Sequence, residues 1–281
     1  MPHTAFINQD GLSVKEDKVF ISPSNRSFRY GDGCFETMKI VDGNIRLADY
    51  HFERLLSSLH TLQFQYPAWM TAAHLQNQVL ALVHKNNHQR LARVRLTIYR
   101  GDGGLYDPEN HFPHYLIQSW ELNAAANLFN ENGLVMGVFT NARKVCDGYS
   151  HIKSNNFLSY AMAALWAKQQ QLNDALLLNP YNGIADTTIA NLFIVKDGLV
   201  KTPPLTEGPV AGTMRRHLLH CLREEHLPVE ETPLTVEDVL QASEVFLTNA
   251  IQGIRWVKQL EQSHYQNNLS AQLHRKFIAS L

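Results

Sequence analysis

The sequence predicts an α+β chain of two domains, on three observations. Short β-branched runs close on tight-turn pairs, as in CFETMKIVDGNIRL around Asp42-Gly43 and NLFIVKDGLVKT around Asp197-Gly198; Asp-Gly suits the left-handed positions of a two-residue hairpin turn. Helical stripes stand apart from these hairpins instead of alternating with single strands, which argues against regular βαβ winding. The polar segment ELNAAANLFNENG separates two apolar-rich stretches of a 281-residue chain, long enough for two modest cores. The expected division is a domain over 1–122, a linker over 123–130 and a domain over 131–281.

The elements follow in order. After the first hairpin, ADYHFERLLSSLHTL reads as a helix with Phe52, Leu55, Leu56, Leu59 and Leu62 on one stripe. A second helix is expected over 71–87, then strands at LARVRLTIYRG and HYLIQSW. The second half opens on the strand LVMGVFTN and a helix in HIKSNNFLSYAMAALWAKQQ. There Phe157, Ala161 and Leu165, with Leu158 and Met162, recur at helical spacing and are expected to face a core. DALLLN reads as a buried strand. VAGTMRRHLLHCLREEH reads as a glycine-led helix burying Met214, Leu218, Cys221 and Leu222, and SEVFLTN as a further strand before a short final helix.

Composition narrows the function classes. Hydrophobic residues make up 44% and charged residues 18% of the chain, and the formal net charge is −1, with no basic block to track a nucleic acid. Cys34, Cys146 and Cys221 form neither a CxxC pair nor a disulfide framework, and no apolar run is long enough to span a bilayer. No secretory leader is read at the start, so a reducing, cytoplasmic setting is expected, without membrane or nucleic-acid partners. The 14 histidines are scattered and no metal site is expected from them.

Several side chains invite chemistry. Lys153 stands beside two asparagines ahead of an apolar helix, where the positive end of the dipole would favour a neutral amine, a better nucleophile. In GPVAGTMRR, glycines permit close approach to a ligand, Thr213 is a cap candidate, and Arg215 and Arg216 in a first helical turn suggest an anion; solvent or Glu224 and Glu225 are the plain alternatives for both arginines. Arg54 lies beside its helix's apolar stripe, placed for inward reach or for snorkelling. Asp186 opens an apolar segment and needs an N–H or cationic partner if buried. LTNAIQG offers a second patch of backbone donors. One ligand with an aldehyde, a phosphate and a protonated ring nitrogen would use all of these together, and pyridoxal 5'-phosphate is such a ligand.

These motifs, in this order, resemble the class IV aminotransferase family, the fold-type IV pyridoxal-phosphate enzymes. NRSFRYGDGCFETMKI resembles its opening motif, with Asn25 where an aspartate is usual. HFERLLSS resembles its phosphate-arginine helix, HIKSNNFL its lysine motif, and IADTTIANLF its pyridine-carboxylate motif. VAGTMRR and TNAIQGI resemble its two phosphate loops. The resemblance implies a small N-terminal domain, a larger C-terminal pseudo-barrel domain carrying the lysine, the cofactor between them, and a homodimer whose partner completes the substrate pocket. It implies that Lys153 forms the Schiff base and shuttles the proton. Arg54 and the amides of Thr213, Met214, Asn249 and Ala250 would hold the phosphate. Asp186 would face the ring nitrogen where most members carry glutamate. Tyr30, Phe35, Thr37 and Arg100 are implied on the substrate side, Arg100 as a bidentate carboxylate clamp.

Two reactions share such machinery: pyruvate elimination from 4-amino-4-deoxychorismate, and transamination. GDGCFET, RGDGG, VAGTMR and TNAIQGI resemble the 4-amino-4-deoxychorismate lyase group more than the branched-chain enzymes. Leu105, where many lyases have an arginine, and the absence of a proline after the arginine of GIRWV point the other way. The expectation is the lyase, with an aminotransferase of branched-chain or D-amino acids as the alternative.

Overall fold

The computed structural model describes residues 5–106, 110–279 and 281; within RGDGGLYDPE, residues 107–109 lie outside the described residues. The chain divides into two compact units, Met1–Ala126 with Lys153–Asn156, and Asn127–Ile152 with Phe157–Leu281. The α+β class holds, and each unit has its own sheet and core.

The first unit carries β1 (Phe6–Gln9), β2 (Leu12–Lys15), α1 (Arg26–Tyr30), β3 (Gly33–Val41), β4 (Asn44–Ile45), α2 (Ala48–Thr61), α3 (Ala72–Lys85), β5 (Leu91–Arg100) and β6 (Pro113–Glu121). Its strands form an antiparallel sheet in the order β2-β1-β6-β5-β3-β4. Asp42 and Gly43 take φ of 46° and 76°, so the expected hairpin turn forms between β3 and β4. Asp10-Gly11, which the sequence reading did not single out, makes the same turn between β1 and β2. On α2, Phe52, Leu55 and Leu59 are buried as expected, together with His51 and Ser58. Thr71 begins α3 as its cap, accepting from the His74 amide.

The second unit carries β7 (Leu134–Phe139), α4 (Leu158–Gln169), β8 (Asp174–Leu178), β9 (Ile184–Thr187), β10 (Asn191–Lys196), β11 (Leu199–Thr202), α5 (Thr213–Glu224), β12 (Val229–Glu231), α6 (Val236–Leu240), β13 (Glu244–Asn249), β14 (Gly253–Leu260), β15 (Ser263–His264) and α7 (Asn268–Phe277). The sheet is mixed, in the order β12-β11-β10-β13-β14-β7-β8-β9, with β15 on β14. Alternate residues separate two layers. Leu176, Leu178, Leu192, Ile194, Val245 and Leu247 converge on one core, so the strands curl around it. Their neighbours Phe193, Val195 and Phe246 pack outward on Leu218, Leu222 and Leu273, and Ala175 and Leu177 on Tyr160, Ala163 and Ala167.

Three sequence expectations change here. α4 begins only at Leu158, and its buried stripe is Tyr160, Ala163 and Ala167; Leu158, Met162 and Leu165 are 69%, 47% and 54% exposed. Apolar residues recur all around this helix, so periodicity alone left its core face undecided. α5 buries Met214, Leu218 and Leu222 as expected, whereas Cys221 is half-buried. Its cap is Gly212, and Thr213 is the first helical residue.

Candidate active site

Lys153 sits five residues before α4 begins, in extended backbone laid along β3. Phe35 donates its amide to the Lys153 carbonyl at 2.9 Å, and Asn155 donates to the Gly33 carbonyl at 2.9 Å. A Cβ on Gly33 would collide with the Ile98 carbonyl and the Asn155 side chain, so glycine is required for this approach. The dipole argument for Lys153 therefore lapses: the lysine is placed by strand pairing, not at a helix terminus. Its amine lies 4.5 Å from the centre of the Phe35 ring. The Arg95 guanidinium lies 3.6 Å from the same centre, with Nε donating to Thr97 at 3.1 Å. Phe35 pairs with Thr97 and Thr37 with Arg95 across β3 and β5. Lys153, Phe35 and Thr37 are thus brought together, with Arg95 added to them. Strand alternation from Arg95 to Thr97 was the signal that would have found it.

The alternate residues of β3 face α2. Glu36, 2% exposed, accepts from Arg54 Nε at 2.8 Å and Nη2 at 2.5 Å, and meets His51 Nδ1 at 2.6 Å. Burial pushes its carboxyl up, but Arg54 and His51 outweigh that and hold it at about 2. Burial, first of all, holds His51 below its ordinary range, so Nδ1–H donates to Glu36 as neutral imidazole. On the same side, burial pushes the Cys34 thiol up to about 12, with Glu36 adding to it. Arg54 is therefore an inward-reaching arginine, oriented by a carboxylate that the sequence reading did not name.

Arg100 and Tyr30 stand elsewhere in this unit. Arg100 donates Nε to Asp32 at 2.9 Å, Nη2 to the Leu62 carbonyl at 2.6 Å, and Nη1 to the Gln63 carbonyl, with His111 Nδ1 at 2.8 Å. Its guanidinium also covers the Phe64 ring at 4.1 Å. Asp32 takes Arg26 as well, at 2.9 Å. These contacts close the chain around Gly31 to Gly33. Tyr30 ends α1, exposed, with Arg29 over its ring at 4.9 Å. Asn25 caps α1 through its side-chain oxygen and donates its amide to the Arg100 carbonyl, which an aspartate could not do.

In the second unit Asp186 is 3% exposed on β9. Its carboxylate accepts from Val210 N at 3.0 Å, Asn191 Nδ2 at 3.2 Å and Tyr160 Oη at 3.3 Å, the donors a buried carboxylate requires. Burial and Asp186 together hold the Tyr160 hydroxyl well above its ordinary range, as a donor. Thr213 and Met214 begin α5 behind Gly212, which has no side chain to cap their turn. Arg215 does not turn to Glu224 or Glu225. It donates to the Pro203 carbonyl at 2.9 Å and to Glu231 at 2.6 Å, a carboxylate shared with Arg223. Asn249 ends β13 and folds the turn holding Ala250, its side-chain oxygen accepting from Ile251 and Gln252 at 3.0 and 2.8 Å.

Within the first unit a half-buried amine and an oriented arginine suit an aldehyde and a phosphate; within the second a carboxylate braced by three donors and an uncapped helix start suit a ring N–H and a phosphate. Comparison with known proteins agrees. The amino-transferase class IV family model matches residues 33–260. An aminodeoxychorismate lyase from Vibrio harveyi is 34% identical over 82% of this chain and 83% of that protein. A putative branched-chain-amino-acid aminotransferase from Methanocaldococcus jannaschii is 28% identical over 95% and 92%. Among solved structures, the branched-chain aminotransferase from the thermophilic archaeon Thermoproteus uzoniensis with norvaline superposes with a TM-score of 0.87 at 22% identity, covering 97% of this chain and 93% of that one, a likeness of fold. Among the described residues no helix is long and apolar enough to cross a membrane. The chain belongs to the class IV aminotransferases, a family of pyridoxal-phosphate-dependent lyases and transaminases.

Proposed function

We propose that the protein is a 4-amino-4-deoxychorismate lyase, releasing pyruvate and leaving 4-aminobenzoate. The observation that carries this reading is the Lys153 amine held against the Phe35 ring beside the Arg95 guanidinium. That pairing suits a flat, carboxylated ring substrate whose proton is moved by an amine. The 34% identity to a lyase over four-fifths of the chain supports it.

Pyridoxal 5'-phosphate supplies the electron sink when bound. Lys153 is the residue that would hold it, and its amine would carry a proton between substrate atoms. Arg54, steadied by Glu36 and His51, takes the phosphate, with the amides of Thr213, Met214, Asn249 and Ala250. Asp186 faces the ring nitrogen. Its three donors fix the carboxylate in place. Phe35, Thr37 and Arg95 receive the substrate. Arg100, spent on Asp32 and main-chain carbonyls, keeps the segment Gly31 to Gly33 in shape. The stripe Leu158, Met162 and Leu165, exposed on α4, supports a homodimer.

A transaminase is the second reading, favoured by the same Arg95, which would equally clamp an amino-acid carboxylate. The test is to give the purified, cofactor-loaded protein 4-amino-4-deoxychorismate without any keto acid. Pyruvate and 4-aminobenzoate are expected in equal amounts. Turnover only with an amino donor and 2-oxoglutarate would establish the second reading instead. Lys153→Ala should stay folded, lose the borohydride-fixable label and lose turnover by at least about 10³-fold; wild-type turnover in that variant would end the assignment.

A further inference from the structure

A second buried lysine stands in the same unit as Asp186. Lys144 follows β7, donates its amide to the Leu178 carbonyl at 2.9 Å, and is 7% exposed. Its ammonium donates to the Ser150 carbonyl at 2.9 Å and to the Gly208 carbonyl, and lies 5.8 Å from the centre of the Tyr160 ring. A buried ammonium needs such acceptors. Those it uses belong to two loops that bear on the candidate site. The loop 144–151 is closed by Ser150, whose hydroxyl bonds Val145 O and Asp147 Oδ1, both at 2.8 Å. The loop 208–212 begins at Gly208, whose φ of +93° and contact with Val145 O and Cys146 leave no room for a side chain.

The two loops are joined again where Ala211 donates to the His151 carbonyl at 3.0 Å, two residues before Lys153. Within the second loop Val210 supplies both faces of the Asp186 clamp. Its amide donates to Asp186 at 3.0 Å, and its carbonyl accepts at 2.8 Å from Asn191, which also donates to Asp186. Burial holds the Lys144 amine below its ordinary range while Asp186 pulls it back up, so the two charges sense one another.

Resting on the reading of Asp186 as the partner of the cofactor ring, we infer that Lys144 is a positioning residue. It staples the Ser150 and Gly208 carbonyls, and through them sets the Val210 amide on the Asp186 carboxylate. It touches no reacting atom. Its charge and its two bonds decide how firmly Asp186 is held and how much negative charge it presents.

The experiment compares the wild-type apoprotein with Lys144→Met, which keeps the stem and removes the donors. In hydrogen exchange, the Val210 and Ala211 amides should exchange at least about tenfold faster in the variant, with β10 and β13 amides unchanged. Titrated with pyridoxal 5'-phosphate, the variant should bind at least about tenfold more weakly, with a shifted absorbance titration. With substrate, kcat should fall while KM changes little. A purely structural lysine would speed exchange evenly through the unit and leave the spectrum as in wild type, which overturns the inference. So does a variant whose Val210 amide stays protected. If Lys144→Met does not fold, Lys144→Gln is read in the same way, and failure of both to fold makes Lys144 structural only and also overturns it. A wild-type protein that takes up no pyridoxal 5'-phosphate would sink the functional reading, while the exchange comparison would still decide whether Lys144 is the staple.

Discussion

Glu36 shows how one side chain can govern an anion-binding residue without reaching the ligand itself. It accepts from Arg54 Nε and Nη2 and meets the His51 ring at 2% exposure, so neutralising it removes the carboxylate that an arginine and a histidine share inside the unit. Glu36→Gln is expected to cost about 3–5 kcal/mol in urea denaturation and to weaken phosphate-bearing ligands, because Arg54 loses the charged partner that orients it. The acid limb follows from the sign of the shift. Glu36 is held at about 2 against an ordinary 4.5, so the unfolded chain binds the proton first. The stability this carboxylate gives is full above pH 4.5 and is lost as pH falls towards 2, on the order of 3 kcal/mol. His51, held below 6.5, adds an earlier loss as pH falls through that value. Stability curves at about pH 7, 5 and 3 for wild type and Glu36→Gln check this; parallel curves would refute it. The sequence left Arg54 between inward reach and snorkelling, and named neither Glu36 nor His51. Both are polar residues beside apolar stripes, and only the packing of α2 on β3 shows that they meet.

Elements were legible where one periodicity dominated. The β3 and β5 ladder runs from Gly33–Tyr99 to Val41–Leu91 without a slip, because alternation on both strands commits each residue to one face and so fixes the register. α2 kept its expected face for the same reason. Leu55, 1% exposed at the centre of that face, should cost about 2–5 kcal/mol when cut to Ala, read as a lower denaturation midpoint at unchanged slope. α4 was misread because Leu158, Met162 and Leu165 compete with Tyr160, Ala163 and Ala167, and burial of small residues against β8 wins. The stretch before α4 reads as the approach to a helix, with Lys153 beside its start, whereas 153–155 pairs with β3. A main-chain partner more than a hundred residues away leaves no local signature.

For the whole molecule, the face that α4 leaves uncovered carries the assembly prediction. Met162→Asp combined with Leu165→Asp should turn a dimer into a monomer in sedimentation while leaving the monomer fold intact by circular dichroism. A wild-type monomer, or an unchanged dimer in the double variant, would remove this face from the interface. The sequence by itself determined the α+β class, the order of the six motifs and the residue types offered to an aldehyde, a phosphate and a ring nitrogen. Those depend on local turn chemistry, on periodicity and on which side chains can do which chemistry. Tertiary structure alone decided that Lys153 is carried by a strand pairing with β3, that Arg95 shares its Phe35 ring while Arg100 is spent elsewhere, and that Lys144 braces the clamp on Asp186. Each of these depends on contacts between residues far apart in the chain, where burial forces every charge and every N–H to find a partner that no neighbouring residue reveals.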